Sequence, residues 1–125
     1  MNKVELTEAL LNRTKLFALR VIKLFQSLPK SGESQVIGKQ MLKCGTSVAA
    51  NYRAACRARS KAEFFSKISI VVEEADETLF WIELLIESKI VSAEKLALLS
   101  KETTELLSIF STVRKTIRKS KPISP

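Results

Sequence analysis

Apolar residues recur along this chain at alternating spacings of four and three, in four successive segments. That spacing puts side chains on one face of an α-helix and is the seam pattern of helices that pack in a bundle. The four stripes cover residues 10–28, 37–55, 64–85 and 96–117. No sustained alternation of apolar and polar residues predicts a strand, and three glycines and three prolines leave little material for long turns. The pattern therefore predicts an all-α fold.

Helix boundaries are indicated by a proline and by serine caps. The predicted helices span residues 5 or 7 to 28, 33–57, 61–88 and 93–118, with Pro29 ending the first. Ser60 and Glu63 form a capping-box pattern at the start of the third. The candidate N-caps are Ser31 or Ser34 for the second helix, Ser60 for the third and Ser92 for the fourth.

Four helices of about 22 to 28 residues joined by short turns predict an antiparallel, up-down-up-down four-helix bundle. We expect residues 1–121 to form this single domain. Pro122 and Pro125 predict a flexible C-terminal tail over 122–125.

Residue types that catalysis or metal binding requires are sparse. The chain has no histidine, and Cys44 and Cys56 would lie roughly 18 Å apart on one straight helix, too far for a disulfide. It has neither a Cys/His zinc spacing nor a glycine-rich phosphate loop, and the acidic run 73–77 is typical of a solvated helix face. We therefore expect no enzymatic activity, no metal and no cofactor.

The N-terminal residues MNKVELTEALL lack the basic-then-apolar order of a signal peptide. No apolar run approaches the roughly 18 residues that a membrane span needs. Together with two cysteines that cannot pair, this predicts a soluble protein of the reducing cytoplasm, with no membrane partner.

The second helix carries a face of small residues within 40–60, which would let a neighbouring helix come close. Asn51 falls on the apolar stripe of that helix, where a leucine would be expected. As a buried amide it would fix the register of the bundle or satisfy a backbone group, whereas a functional amide would have to face a cavity. We favour the structural role.

The formal net charge of +8 is unevenly distributed, with +8 in residues 1–60, −5 in 61–112 and +5 in 113–125. Basic residues that cluster at the exit of the second helix and the end of the fourth suit a phosphate backbone, bound with little base selectivity. Ordinary solubility is the alternative interpretation, and Tyr52 is the one aromatic residue nearby for base stacking. The candidate phosphate-contacting residues are Arg53, Arg57, Arg59, Lys61, Arg114, Lys115, Arg118 and Lys119.

Several segments resemble one bacterial family. They are Gln40-Met41-Leu42, the TSVAAN run that ends at Asn51, Ser60-x-x-Glu63-Phe64, and the EEADET run 73–78. These are similar to the 23S rRNA-intervening-sequence or "four helix bundle protein" family, over residues 17 to 117. Where many members carry Ala-Glu-Gly after the asparagine, this chain has Tyr52-Arg53-Ala54.

The resemblance implies the four-helix bundle and a homopentamer. The family is related to the accessory protein of diversity-generating retroelements, a basic pentameric barrel. Through that relation the resemblance implies nucleic-acid binding, with RNA preferred, and a reverse transcriptase as a protein partner.

Two functions follow as hypotheses. The first is a non-catalytic, homo-oligomeric protein that binds RNA through phosphate contacts. The second is a protein-interaction or assembly scaffold with no nucleic-acid ligand. The salt dependence of binding separates them, because counterion release gives nucleic-acid affinity a steep slope against salt.

Overall fold

The computed structural model describes residues 1–120, which form four long helices with no strand among them. These are α1 (Lys3–Ser27), α2 (Gly32–Cys56), α3 (Lys61–Glu87) and α4 (Ala93–Lys119). Each helix packs along the next one in the chain, whereas α1 and α4 touch little. The prediction of an all-α, antiparallel four-helix bundle is confirmed. The predicted flexible tail over 122–125 lies outside the described residues.

Serine caps start two helices as predicted. Ser60 Oγ accepts a hydrogen bond from the backbone N–H of Glu63 at 3.0 Å, and Ser92 Oγ accepts one from that of Lys95 at 3.2 Å. These bonds satisfy N–H groups that have no partner within the first turn of a helix. The observed bounds of α2, α3 and α4 differ from the predicted ones by one residue at most.

The first helix starts earlier than predicted. Asn2 Oδ1 accepts from the backbone N–H of Glu5 at 2.8 Å, and Glu5 Oε1 accepts from that of Asn2 at 3.3 Å. This reciprocal capping box holds the chain helical from Lys3. The prediction overlooked it because the cap lies outside the apolar stripe.

The core is built from the stripes that the sequence predicted. None of the described helices has a continuous apolar stretch of the kind needed to cross a bilayer. Thr14, Thr78 and Thr103 are also buried, and each hydroxyl donates to a carbonyl one turn back in its own helix, so no hydroxyl is left unpaired there. The largest fully buried apolar side chains are Phe17, Val21, Met41, Val48, Ile68, Val71, Ile82, Leu85, Leu106 and Phe110.

Two glycines set how closely α1 and α2 approach. A Cβ added at Gly45 would lie 2.8 and 2.9 Å from the two methyls of Val21. A Cβ at Gly38 would lie 2.6 Å from a methyl of Leu28 and 3.0 Å from the ring of Phe25. Both positions therefore need glycine's missing side chain rather than its backbone freedom, since neither has a positive φ.

The sparse contact between α1 and α4 is bridged by charge. Arg13 donates from Nε and Nη2 to the two carboxylate oxygens of Glu102, at 2.8 and 2.7 Å, and from Nη2 to Glu105 at 2.8 Å. The hydrogen bond to Glu102 is the main cause that raises the pKa of Arg13. This paired geometry is stronger than a single surface ion pair and ties the open edge of the bundle together.

Candidate nucleic-acid interface

All eight predicted phosphate-contacting residues lie at one end of the bundle. Because the helices alternate in direction, the ends of α2 and α4 and the start of α3 share that end with the start of α1. Within residues 50–70 and 108–120 there are nine lysines and arginines and one carboxylate, that of Glu63. Glu63 Oε1 accepts from the backbone N–H of Arg59 at 3.1 Å, so it belongs to the helix cap. We call residues 50–70 and 108–120 the basic end.

The eight residues differ in how free their side chains are. Arg114 is half-buried, since its Nε donates to Ser69 Oγ at 2.9 Å and its guanidinium carbon lies 5.4 Å from the centre of the Phe65 ring. It pins α4 to α3. Lys61 is half-buried and already interacts with the rest of the chain. The exposed members of the set are Arg53, Arg57, Arg59, Lys115, Arg118 and Lys119.

An open groove of about 590 Å³ runs between α1 and α2 toward the basic end. Lys15 reaches it from α1, and Arg53 and Arg57 reach it from α2. We call it the α1/α2 groove. Lys15 lies off the apolar stripe of α1, and the sequence gave no signal that it shares a groove with the two arginines, because that depends on how the helices pack. Its other lining residues are Glu8, Leu11, Asn12, Thr46, Ala49, Ala50 and Cys56.

The sequence assigned a core position to Asn51, but in the structure its neighbour Tyr52 lies in the core and Asn51 lies at the edge of it. Asn51 is half-buried, and its Nδ2 donates to the carbonyl and the hydroxyl of Ser47, at 3.0 and 2.8 Å, within α2 itself. Tyr52 is buried, with its ring centre 5.0 Å from that of Phe110 on α4. The side chain that reaches across the bundle is thus Tyr52, and its ring is not available to stack on a base.

A thiol and two carboxylates meet between α2 and α3, away from the basic end. Cys44 donates to Glu77 Oε2 at 2.9 Å, and possible ligand atoms of Cys44, Glu74 and Glu77 lie within 4.8 Å of one another. They are the residues in the described part of the chain that could hold a metal ion. Burial, then the bond to Glu77, raises the pKa of Cys44 to about 12, so at neutral pH the thiol is protonated and a metal would have to displace that proton. Spacing along the sequence did not reveal this group, because Cys44 lies on α2 whereas Glu74 and Glu77 lie on α3.

Two helix faces of opposite charge each carry exposed apolar side chains. Leu16 and Leu19 on α1 are each 53% exposed, with Lys15, Arg20 and Lys23 beside them. Phe80 on α3 is 50% exposed. Its neighbours along the same helix face, at spacings of three and four, are the exposed acids Glu73, Asp76, Glu83 and Glu87.

Comparison with known proteins agrees with this architecture. Residues 9–112 match the family model of the 23S rRNA-intervening sequence protein. The chain is also similar to a crystal structure from Bacteroides thetaiotaomicron, described as a protein with unknown function from the S23 ribosomal protein family. The two share 33% sequence identity with a TM-score of 0.79, over 84% of this chain and 97% of the other. No curated protein matches the chain.

Proposed function

The chain belongs to the 23S rRNA-intervening sequence protein family, and from that premise we propose that it is a non-catalytic RNA-binding protein of the cytoplasm. The observation that carries the proposal is the basic end, whose two ranges hold nine basic side chains and one carboxylate. The first turns of α1 at the same end add Lys3, Glu5 and Glu8. Phosphates bound there release condensed counterions, which supplies affinity without sequence selectivity. Arg53, Arg57 and Arg59 add guanidinium groups, whose planar donors match phosphate oxygens in pairs.

Acid–base and thiol chemistry do not fit the same site. Burial raises the pKa of Cys56, the thiol in the α1/α2 groove, and a raised pKa lowers the fraction of reactive thiolate at neutral pH. Tyr52 beside it is also held neutral, because burial raises its pKa. Phosphate binding does not require Cys56 or Tyr52 to ionise, because the arginines already carry the positive charge.

The protein acts as a homo-oligomer in this proposal, with the five subunits that the family resemblance implies. The basic stripe around Leu16 and Leu19 complements the acidic stripe around Phe80 of a second copy, a head-to-tail contact that closes into a ring if the rotation is right. A cyclic ring turns every basic end to the same side. Five such ends on one RNA would bind far more tightly than one, since later contacts are intramolecular.

RNA binding is tested by charge reversal at the basic end. Fluorescence anisotropy with a labelled single-stranded RNA is compared for wild type and for Arg57→Glu with Arg118→Glu, between 50 and 200 mM salt. Each lost phosphate contact should reduce the slope of log affinity against log salt by about 0.7, so the double variant should lose about 1.4 as well as affinity.

The matched control is Lys30→Glu with Lys39→Glu, two exposed residues at the opposite end of the bundle. It changes the net charge by the same amount and should bind RNA nearly as wild type does. Equal affinity of wild type and the Arg57, Arg118 variant would contradict the proposal, as would equal losses in both variants.

A scaffold function remains the second candidate, favoured by the exposed stripes on α1 and α3. Sedimentation at micromolar concentration measures assembly. Arg20→Glu with Lys23→Glu should disrupt the ring, and adding Glu83→Lys with Glu87→Lys should restore it by exchanging the charges across the contact. A wild-type monomer would contradict the oligomer, and a salt-indifferent oligomer free of nucleic acid would favour the scaffold over RNA binding.

A further inference from the structure

The α1/α2 groove contains a carboxylate that a simple phosphate site would not need. Glu8 lines it together with Lys15, Arg53 and Arg57, and all four side chains are exposed. Within residues 1–120, Glu8 makes no ion pair with any of these cations, whereas Arg13 on the same helix pairs with two glutamates. Among residues 1–120, the Glu8 carboxylate therefore lines the groove without an ion-pair partner.

The groups follow an order along the groove. Glu8, Asn12 and Lys15 recur at spacings of four and three on one side of α1, and Arg53 and Arg57 lie one turn apart on α2. Because the helices are antiparallel, Glu8 lies level with the last turn of α2, and its charge contributes to the raised pKa of Cys56 there. Lys15 lies roughly 10 Å further along the axis, at 1.5 Å per residue. Glu8 therefore lies at the end of this row nearest the basic end, with Arg53 and Arg57 across the groove and Lys15 beyond Asn12.

The rest of the lining suits a sugar-phosphate chain and not a base. The wall is Leu11, Ala49 and Ala50, and no aromatic ring lines the groove among the described residues. Bases gain most of their affinity for proteins by stacking on rings, so they would point outward from this groove. Its volume lies in the range of pockets that enclose a small-molecule-sized segment, which fits a short stretch of one strand.

We infer that this groove selects RNA over DNA, with the Glu8 carboxylate accepting a hydrogen bond from a ribose 2′-hydroxyl while Lys15, Arg53 and Arg57 hold the neighbouring phosphates. A carboxylate near phosphates repels any nucleic acid, and this repulsion is offset where the ligand offers a hydroxyl donor. RNA has that donor and DNA lacks it. The inference rests on the proposed function and states which feature of the nucleic acid the site reads.

The experiment measures three labelled 12-nucleotide strands of one mixed sequence as RNA, DNA and 2′-O-methyl RNA, at 50 mM salt by fluorescence anisotropy. The 2′-O-methyl strand keeps an RNA-like sugar but has no hydroxyl to donate. Wild type should bind RNA about tenfold more tightly than either other strand, as expected for one hydrogen bond to a charged acceptor. Glu8→Ala should bring the three affinities within about twofold, with DNA affinity unchanged or raised because the repelling charge is gone.

Two further variants make the test specific. Glu33→Ala removes an exposed carboxylate from the other end of the bundle and should keep the full RNA preference. Glu8→Gln keeps an acceptor oxygen and should keep more of the preference than Glu8→Ala does. Thermal melts check that each variant is folded, which we expect because Glu8 and Glu33 are exposed.

The outcomes separate the two proposals. Equal wild-type affinity for RNA and DNA, or a preference that survives Glu8→Ala, overturns the inference and leaves RNA binding standing. Equal affinity for RNA and 2′-O-methyl RNA also overturns it, because the sugar shape and not the hydroxyl would then be recognised. No binding of any strand at 50 mM salt overturns the proposed function and the inference with it.

Discussion

The two halves of the contact between α1 and α2 are packed in opposite ways. Toward the turn that joins the helices, Gly38 and Gly45 leave no room for even a methyl group against Leu28 and Val21. Toward the basic end, the same pair of helices leaves the α1/α2 groove, about 590 Å³ in volume. We call these the closed half and the open half.

The difference lies in the residues that flank a continuous apolar stripe. In the closed half the flanking positions are glycines, so the helix backbones meet side chains directly. In the open half they are alanines and threonine, with Arg53 and Arg57 reaching around the rim. Arginine side chains extend their charged groups into water, so they do not fill the space between the two helices. The close contact between the helices is therefore concentrated in one half and the accessible space in the other.

The two cysteines of α2 should differ strongly in reactivity. Cys44 lies level with the closed half but on the face of α2 that meets α3, and burial raises its pKa from 9.0 to about 12, so at pH 8 it should hold about a thousandfold less thiolate than it does when unfolded. Its alkylation by iodoacetamide should be slower than in denaturant by about that factor. Because the folded pKa is the higher one, the rate should still be rising tenfold per pH unit near pH 10.

Variants that keep a single cysteine show which thiol accounts for each alkylation rate. Cys44→Ser leaves Cys56, which is half-buried in the open half and should react faster than Cys44 does in Cys56→Ser. Equal rates for the two thiols in the folded protein would contradict the difference in burial between these two levels of α2.

Adding one methyl group at each glycine tests how tightly the two helices pack in the closed half. Gly45→Ala should cost about 1 kcal/mol of unfolding free energy, because overpacking against Val21 costs about 1–3 kcal/mol and alanine's helix propensity returns about 1. Val21 is β-branched and has little rotamer freedom with which to move away. Gly38→Ala should cost less than Gly45→Ala, since the atom that its Cβ would meet most closely is a terminal methyl of Leu28, with the Phe25 ring next at 3.0 Å. Urea denaturation measures both.

A double-mutant cycle identifies the contact. Val21→Ala should lower stability alone, and combined with Gly45→Ala the total loss should be less than the sum of the two. If Gly45→Ala and Gly38→Ala both stabilise the protein by the amount that alanine's helix propensity alone provides, α1 and α2 are less tightly packed than the distances at the two glycines indicate.

The smallest stability effect should come from filling the open half. Ala50 is exposed in the groove, so Ala50→Phe should change the unfolding free energy by no more than about 0.5 kcal/mol. It should nevertheless weaken RNA binding several-fold, because the ring occupies the space proposed for the strand. Ala97→Phe, at an exposed position on α4, is the matched control and should affect neither. A large stability loss at Ala50 would mean that the groove closes in solution.

Much of the fold was readable from the chain because the signals are local. The buried side chains of α1 and its C-cap residue Leu28 form the stripe from Leu10 to Leu28 that the spacing predicted, and Ser60 and Ser92 cap their helices as expected. The site was readable in part. Alternating helix directions bring the basic residues of α2, α3 and α4 to one end, which follows from short turns. That Arg114 lies against Phe65 did not follow, because the contact joins residues 49 positions apart.

The residue pattern alone predicts where helices form and which face of each is apolar, because those properties depend on residues within a turn or two of each other. That the basic residues of α2, α3 and α4 share one end also requires the antiparallel arrangement of the helices. Which side chains meet depends on how the helices pack. Each residue turns a helix by about 100°, so a small rotation of α2 settles whether Asn51 or its neighbour Tyr52 reaches the core. The same rotation brings Gly45 against Val21, places Lys15 and Arg53 in one groove and sets Cys44 at hydrogen-bonding distance from Glu77.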